Sequence, residues 1–268
     1  MKLWYQSLAR QTESTPYGKL LRATIADAAD PGTTVDMRGV AQSAGIGVHY
    51  KLLEHHDMRE VIYNAMQAER EGYDAFLVGN ISDAGLREAR ECVNIPVLGL
   101  CETSLHVACM MGASFGLVTI SPKWDLRVRE NVQRYRLEHR CAGLEPIETS
   151  PIELKRAMVD LPFRQGIIDQ FNKAAQKLLD KGAEVIIPAG GDIIVFLAES
   201  KTYEYQRAPI VNGIVELVKM GEMAAKLRRI TGRFTSKRLT YAPPEGDYLK
   251  RTREFYGAEV YPDAKPVK

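Results

Sequence analysis

Gly190, Gly191 and Asp192 form the stretch of this chain best suited to chemistry. They follow the apolar, β-branched run Val185-Ile186-Ile187 and the turn Pro188-Ala189. Such a run reads as a central strand of a parallel sheet, buried on both faces. Ligands of open α/β sheets bind at the carboxyl ends of strands, so two bare backbone amides and an acid stand where a ligand would. A carboxylate in that place acts as a general base when partial burial raises its affinity for protons. The pattern occurs twice. Gly72-Tyr-Asp-Ala-Phe-Leu-Val-Gly-Asn80 also passes from helix to glycine, apolar strand and polar turn.

A second acid, Glu102, follows the apolar run Pro96–Leu100. Asp192 and Glu102 are the expected acid/base residues. Asp192 ranks first: its short side chain sits next to bare amides, whereas Glu102 runs into Thr103 and Ser104, which already serve as caps. The other groups expected at strand ends are Gln6, Ser7, Asn80, Ile81, Thr103, Ser104, Thr119, Ser121, Gly190 and Gly191, all read as substrate-binding. Helix N-termini bearing Ser, Thr or open amides bind carboxylates; plain helix capping is the alternative for the same residues. Cys101 also follows a strand, but an unassisted thiol is a weak nucleophile, and a buried structural cysteine is the better reading. His55 and His56 diverge on any regular element and make no metal pair. His49 ends the Gly-rich stretch 42–49, read as a flexible loop over a cleft. Neither a metal nor a cofactor is expected.

Alternating patterns supply the elements that would place these groups. Strands are expected at Lys2–Leu8, Thr33–Val40, Ala75–Val78, Pro96–Leu100, Phe115–Ile120, Val185 onward and Pro209-Ile-Val-Asn. Helices are expected from Thr15-Pro16 to Asp27, and over Met58–Glu71, Asp83–Val93, Glu102–Met111, Asp125–His139, Pro162–Lys181, Ile193–Lys201 and Val211–Ile230. Strands alternating with helices give an α/β fold with parallel sheets. Pro96-Val-Leu-Gly before Met-Gly112 echoes Pro209-Ile-Val-Asn before Met-Gly221, and the echo favours a duplicated unit. The expected division is 1–112 plus 209–232, then 113–208, then a C-terminal extension 233–268. That extension is rich in Pro, charge and aromatics, and reads equally as a mobile tail or as a segment packed on the body or on a second subunit.

Composition narrows the function classes. Of 268 residues, 45% are hydrophobic and 26% charged, as in ordinary globular proteins. The net charge of +2 is scattered, with no basic stripe for nucleic acid. No apolar run is long enough to span a membrane, and the opening residues lack the pattern of a signal peptide. A cytoplasmic protein with reduced thiols is expected, since Cys92, Cys101, Cys109 and Cys141 fit neither a zinc nor a disulfide pattern.

Four segments together resemble the aspartate/glutamate/hydantoin racemase superfamily: Asp74–Leu86, Ile95–Glu102, Gly116–Ile120 and Gly182–Asp192, in register over about Lys2–Leu227. The resemblance implies two pseudo-symmetric Rossmann-like lobes, each with a roughly four-stranded parallel sheet, and a ligand cleft between them. It also implies a pair of cysteines, one per lobe, that remove and return a proton on opposite faces of the substrate. The matching positions here are Asn80 and Gly190, and neither can move a proton in that way. The resemblance therefore carries the fold and cleft, and not the two-cysteine reaction. The expected activity is a cysteine-independent proton transfer, isomerisation or bond cleavage on a small carboxylate or cyclic amide such as a hydantoin, lactam or imide. A ring-opening hydrolase with a carboxylate-activated water, and a non-catalytic small-molecule binding protein, are the rivals. A homo-oligomer without nucleic-acid or membrane partners is expected.

Overall fold

Strand β1 (Lys2–Arg10) lies between β2 (Thr34–Val40) and β3 (Ala75–Val78), and β4 (Val97–Gly99) completes a four-stranded sheet in the order β2-β1-β3-β4. Every pairing in it is parallel. The computed structural model describes residues 1–10, 15–41 and 49–263. The Gly-rich stretch expected to cover the cleft lies, except for His49, outside the described residues. A second parallel sheet has the order β6-β5-β7, from β5 (Phe115–Thr119), β6 (Cys141–Pro146) and β7 (Val185–Ala189).

This second sheet has three strands where roughly four are expected, within the two-sheet parallel fold that the sequence implies. The segment expected as a strand at Pro209 pairs with this sheet through an isolated parallel bridge, Ile186 to Ile210, while Ala208 and Pro209 pair antiparallel with Tyr205 and Glu204. Asn212 then caps helix α9 (Gly213–Thr231) by accepting from Val215 N–H, which ends the extended run. Strand β6 was not anticipated, because most of its residues are half-buried and no apolar run marks it. Helix starts follow local chemistry. Thr15 caps α1 (Pro16–Ala28) through Gly18 N–H, with Pro16 at the first helical position. Ser150 and Glu153 form a reciprocal capping box at α6 (Pro151–Ala157). Asp160 caps α7 (Leu161–Asp180).

Pleating divides the core. On β1, Leu3 and Tyr5 join the continuous core that runs through both sheets, with Leu77, Leu98, Leu117 and Ile187. Trp4 and Leu8 point the other way, into a second cluster with Phe76, Val78 and Val97 under α2 (Lys51–Arg70) and α3 (Leu86–Cys92). Helix α9 returns to pack on β3, β4 and α4 (Leu100–Met111), while α1 packs against α8 (Gly191–Glu199) and α9. Helix α5 (Pro122–Arg134) crosses from the second sheet to the first: Arg127 pairs with Glu54 at 2.8 Å, and Asn131 Nδ2 donates to the carbonyl of Ile81 at 3.1 Å.

The C-terminal extension packs on the body. Lys237 Nζ donates to the carbonyl of Glu91 at 2.9 Å, Tyr261 Oη to Glu91 Oε1 at 2.7 Å, and Arg70 to the carbonyl of Glu259 at 3.2 Å. Two short strands, β8 (Glu204–Tyr205) and β9 (Ala208–Pro209), and helix α10 (Gly246–Tyr256) complete the described elements. No described helix is long and apolar enough to cross a membrane.

Candidate active site

The carboxyl ends of β1, β3, β5 and β7 converge on one cavity of about 520 Å³. Ser7 and Arg10 come from β1, Asn80 and Ile81 follow β3, Ile120 follows β5, and Gly190, Gly191 and Asp192 follow β7. Tyr17 enters from the first turn of α1, Trp124 from α5, and Leu154, Lys155 and Met158 from α6 and the turn after it.

Asp192 is the cavity's one carboxylate among the described residues. It sits in the first turn of α8, where no side chain caps the helix. Burial pushes its carboxyl up to about 6, against the opposing pull of its own backbone N–H and of Lys155. It is a base at neutral pH whose proton affinity suits proton transfer. Beside it, Tyr17 Oη lies 2.7 Å from where a Cβ on Gly191 would be. Burial, with Tyr5 and Asp192 nearby, raises the Tyr17 phenol, so it stays a donor.

Glycine sets three of the cavity walls. A Cβ at Gly79 would overlap the ring of Tyr5, and one at Gly190 would overlap Cγ2 of Ile120. Gly190 has an extended backbone, φ −165°. Any residue adopts that conformation, so it is the Ile120 side chain, not the backbone, that keeps position 190 small.

On the other sheet, the Asn80 oxygen accepts from Ser82 N–H at 2.9 Å and from Ser82 Oγ at 2.7 Å. A backbone N–H can meet only the oxygen, so the Asn80 side-chain nitrogen is left to donate. His49 accepts from the indole N–H of Trp124 at its Nδ1, 3.1 Å away. An indole only donates, so the imidazole is neutral and carries its proton on Nε2. Burial, with Arg127 and Lys123 in range, lowers its proton affinity and favours the same form.

Six residues expected at the site do not line the cavity: Gln6, Glu102, Thr103, Ser104, Thr119 and Ser121. Gln6 is on the opposite side of the pleat from Ser7. Its oxygen accepts from Trp4 and Asn64 and its nitrogen donates to the carbonyl of Ser7, so it is a fully engaged core residue. Glu102 forms a two-armed ion pair with Arg90, one arm at 2.9 Å. Ser104 is buried and donates to the carbonyl of Leu100; Thr103 is buried on the same helix. Thr119 is buried and donates to Asp125, and Ser121 stands at the start of α5.

The amides of α4 are not open to a ligand. Asp83 occupies them, its two oxygens accepting from Cys101 N–H at 2.9 Å and Glu102 N–H at 2.8 Å, and a third bond arrives from Tyr135 Oη at 2.6 Å.

Residues 19–221 match the model of the Asp/Glu/Hydantoin racemase family. The chain belongs to that family. Among relatives of this family member, the hydantoin racemase of Pseudomonas sp. (strain NS671) is 30% identical over 198 residues, which is 74% of this chain and 73% of that protein. The hydantoin racemase of Rhizobium meliloti is 28% identical over 66% of this chain and 69% of its own. Among solved structures, the allantoin racemase from Klebsiella pneumoniae superposes with a TM-score of 0.79 at 23% identity, covering 92% of this chain and 94% of that one. Arylmalonate decarboxylase shares the fold more distantly, with a TM-score of 0.57 at 12% identity over 84% of this chain and 92% of its own.

In this family member Asn80 and Gly190 both line the cavity, and among the described residues no cysteine does. Cys101 is buried, and that burial raises its thiol well above the ordinary range; Cys92 is pushed up to about 11. The described residues contain no cluster of ligands for a metal.

Tyr17, Trp124 and Lys155 line the cavity without being expected there, and His49, expected at the end of a loop over the cleft, lines it as well. A signal for Lys155 was present: Ser150-Pro-Ile-Glu153 is a capping-box pattern with Pro at the first helical position. No local signal pairs His49 with Trp124.

Proposed function

We propose that the chain is an enzyme of the Asp/Glu/hydantoin racemase family that acts without a cysteine on a small carboxylate or cyclic amide of the hydantoin kind. Asp192 moves the proton. The observation that carries this reading is the pairing of one poised carboxylate with a cavity lined by no thiol. The hydantoin racemases similar to this chain supply the substrate class. We place the lobes at 1–112 with 209–232 and at 113–208, with the substrate between them.

A carbonyl or carboxylate oxygen of the substrate is held by the Asn80 side-chain nitrogen, the Tyr17 hydroxyl and the open amides at Gly190–Gly191. These donors are fixed before the reaction, and they strengthen their hold as negative charge develops on that oxygen. Asp192, ionised at neutral pH, accepts a proton from the substrate carbon or from a water. Tyr17 and the neutral His49 hold protons that can be returned. Removing a proton and returning it on the opposite face requires two facing groups. The lone carboxylate favours chemistry on one face, which includes bond cleavage; a ring-opening hydrolase with water on Asp192 is the second reading, and the same observation supports it.

The test is turnover followed by NMR in heavy water over a panel of hydantoins, lactams, imides and small dicarboxylates. The expected result is conversion of at least one member, lost in Asp192→Asn and unaffected by thiol alkylation. Inversion at the α-carbon with deuterium uptake, stopped by alkylation, overturns the reading. Absence of any conversion, with tight binding retained, leaves the chain a binding protein and overturns it equally.

A further inference from the structure

Donors and acceptors are unevenly divided around the cavity. Arg10 reaches it from the end of strand β1 and Lys155 from helix α6, which follows β6 of the second sheet. Neither makes a close ion pair with a carboxylate among the described residues, although Lys155 lies near enough to Asp192 to favour its ionised form. Several other cations are paired, among them the buried or half-buried Arg90 with Glu102, Arg127 with Glu54 and Arg164 with Glu199. Tyr17 Oη, the Asn80 side-chain nitrogen and the Nε2–H of His49 add three neutral donors to the same lining. Against all of these stands, among the described residues, a single acid, Asp192. Much of the remaining wall is apolar, with Leu8, Leu100, Ile120, Leu154 and Met158, beside the hydroxyl residues Ser7 and Thr15.

A neutral ring would satisfy the inner donors and leave two exposed cations at the cavity mouth without an anionic partner from the ligand. Resting on the function proposed above, we propose that the ligand is an anion: a cyclic amide, or a related carbonyl compound, whose reacting carbonyl sits at Asn80 and Gly190–Gly191 and whose carboxylate is held by Arg10 and Lys155. The two cations act on affinity and on the choice among ring compounds, and take no part in proton transfer. Complementary charge of this kind sets specificity and encounter rate, and it weakens as salt rises.

Calorimetric titration of the full chain tests the assignment with hydantoin-5-acetate, its neutral methyl ester and the dicarboxylates malonate and succinate. The free acid is expected to bind at least about tenfold more tightly than the ester, in line with a charge-assisted contact. That advantage should shrink at high salt. In Arg10→Met/Lys155→Met, with an unchanged circular dichroism spectrum and melting temperature, the gap should close to within about twofold, and dicarboxylates should lose their binding. Three results overturn the proposal: equal or tighter binding of the ester, a gap that survives in the double variant, or no binding by any of the acids. Failure here is separable from failure of the proposed reaction. Asp192-dependent turnover of neutral rings with no preference for the acid removes this inference alone. Cation-dependent binding of acids without any Asp192-dependent turnover removes the reaction and leaves the anion site.

Discussion

Two helices begin directly after parallel strands, α4 after β4 and α8 after β7, and their N-termini meet opposite fates. Both offer unpaired backbone N–H groups and the positive end of a helix dipole, an arrangement that attracts anions. At α4 the anion is internal. Asp83 swings across from the turn after β3 in the left-handed region, φ 52°, a conformation that Asp tolerates better than most residues, and its carboxylate takes two N–H groups. Tyr135 fixes it from the other side. At α8 no side chain caps the helix, Gly190 and Gly191 leave the backbone bare, and the first-turn acid faces the cavity. The same physical device is a structural tie in one place and, in the other, a helix end without a side-chain cap beside the cavity. What separates them is the occupant: a carboxylate delivered from a neighbouring loop converts a binding site into a joint between loop and helix.

The sharpest test of this contrast is to remove charge from each acid in turn. Asp192→Asn keeps the shape and should lower turnover about 10²–10⁴-fold while leaving the unfolding transition near that of the wild type. The pH profile carries the sign. As a base, Asp192 works only when ionised, so kcat/KM should rise with pH up to about 6 and level off above it. A profile that falls through that range would make Asp192 the acid.

Asp83 should behave in the opposite sense, with stability lost and chemistry spared. Asp83→Ala strands two helix amides and the Tyr135 hydroxyl, which should lower the unfolding free energy in denaturant titration by about 2–3 kcal/mol. Burial pushes the Asp83 carboxyl up to about 7, so the native state holds its proton more tightly than the unfolded chain does. Its contribution is therefore full below the unfolded pKa and is lost as pH rises through about 7. Wild type should lose stability relative to Asp83→Asn as pH rises across that window. A widening advantage over the same range would show that the α4 amides, not burial, govern this group.

Smaller effects refine the picture. Trp124→Phe removes the indole donor that fixes the His49 tautomer and should cost less than about tenfold in kcat, the scale of one hydrogen bond. The His49 titration, followed by NMR, should move up toward the ordinary histidine value, and an unmoved titration would dissociate the two rings. Last, Glu102→Gln weakens a partly buried pair with Arg90. Stability should drop by about 1 kcal/mol, with turnover unchanged. Lost turnover in this variant, with Asp192→Asn active, would reverse the roles of the two lobes.

What the sequence by itself determined was local and periodic. The apolar runs before Asn80 and Gly190 are strands β3 and β7, and their ends meet at one cavity. Thr15-Pro16 starts α1, and the alternation of strands and helices is a pair of parallel sheets. These features depend on backbone sterics, side-chain period and the burial of runs of Val, Ile and Leu, all of which are written in neighbouring residues. The choice between adjacent candidates was not. Gln6 and Ser7 are equally polar, and only the packing of α2 on the first sheet decided that Gln6 turns toward Trp4 and Asn64 while Ser7 faces the cavity. Glu102 and Asp192 look alike as strand-end acids, yet Arg90, 12 residues before Glu102, withdraws it into an ion pair. His49 gains a fixed tautomer from Trp124, 75 residues away. Asp83 closes one helix end, and at the other no N-cap side chain does. A local pattern fixes which groups reach a strand end. Which of them remains free to meet a ligand depends on partners brought there by the fold, because a buried polar group takes whatever donor or acceptor the tertiary structure sets beside it.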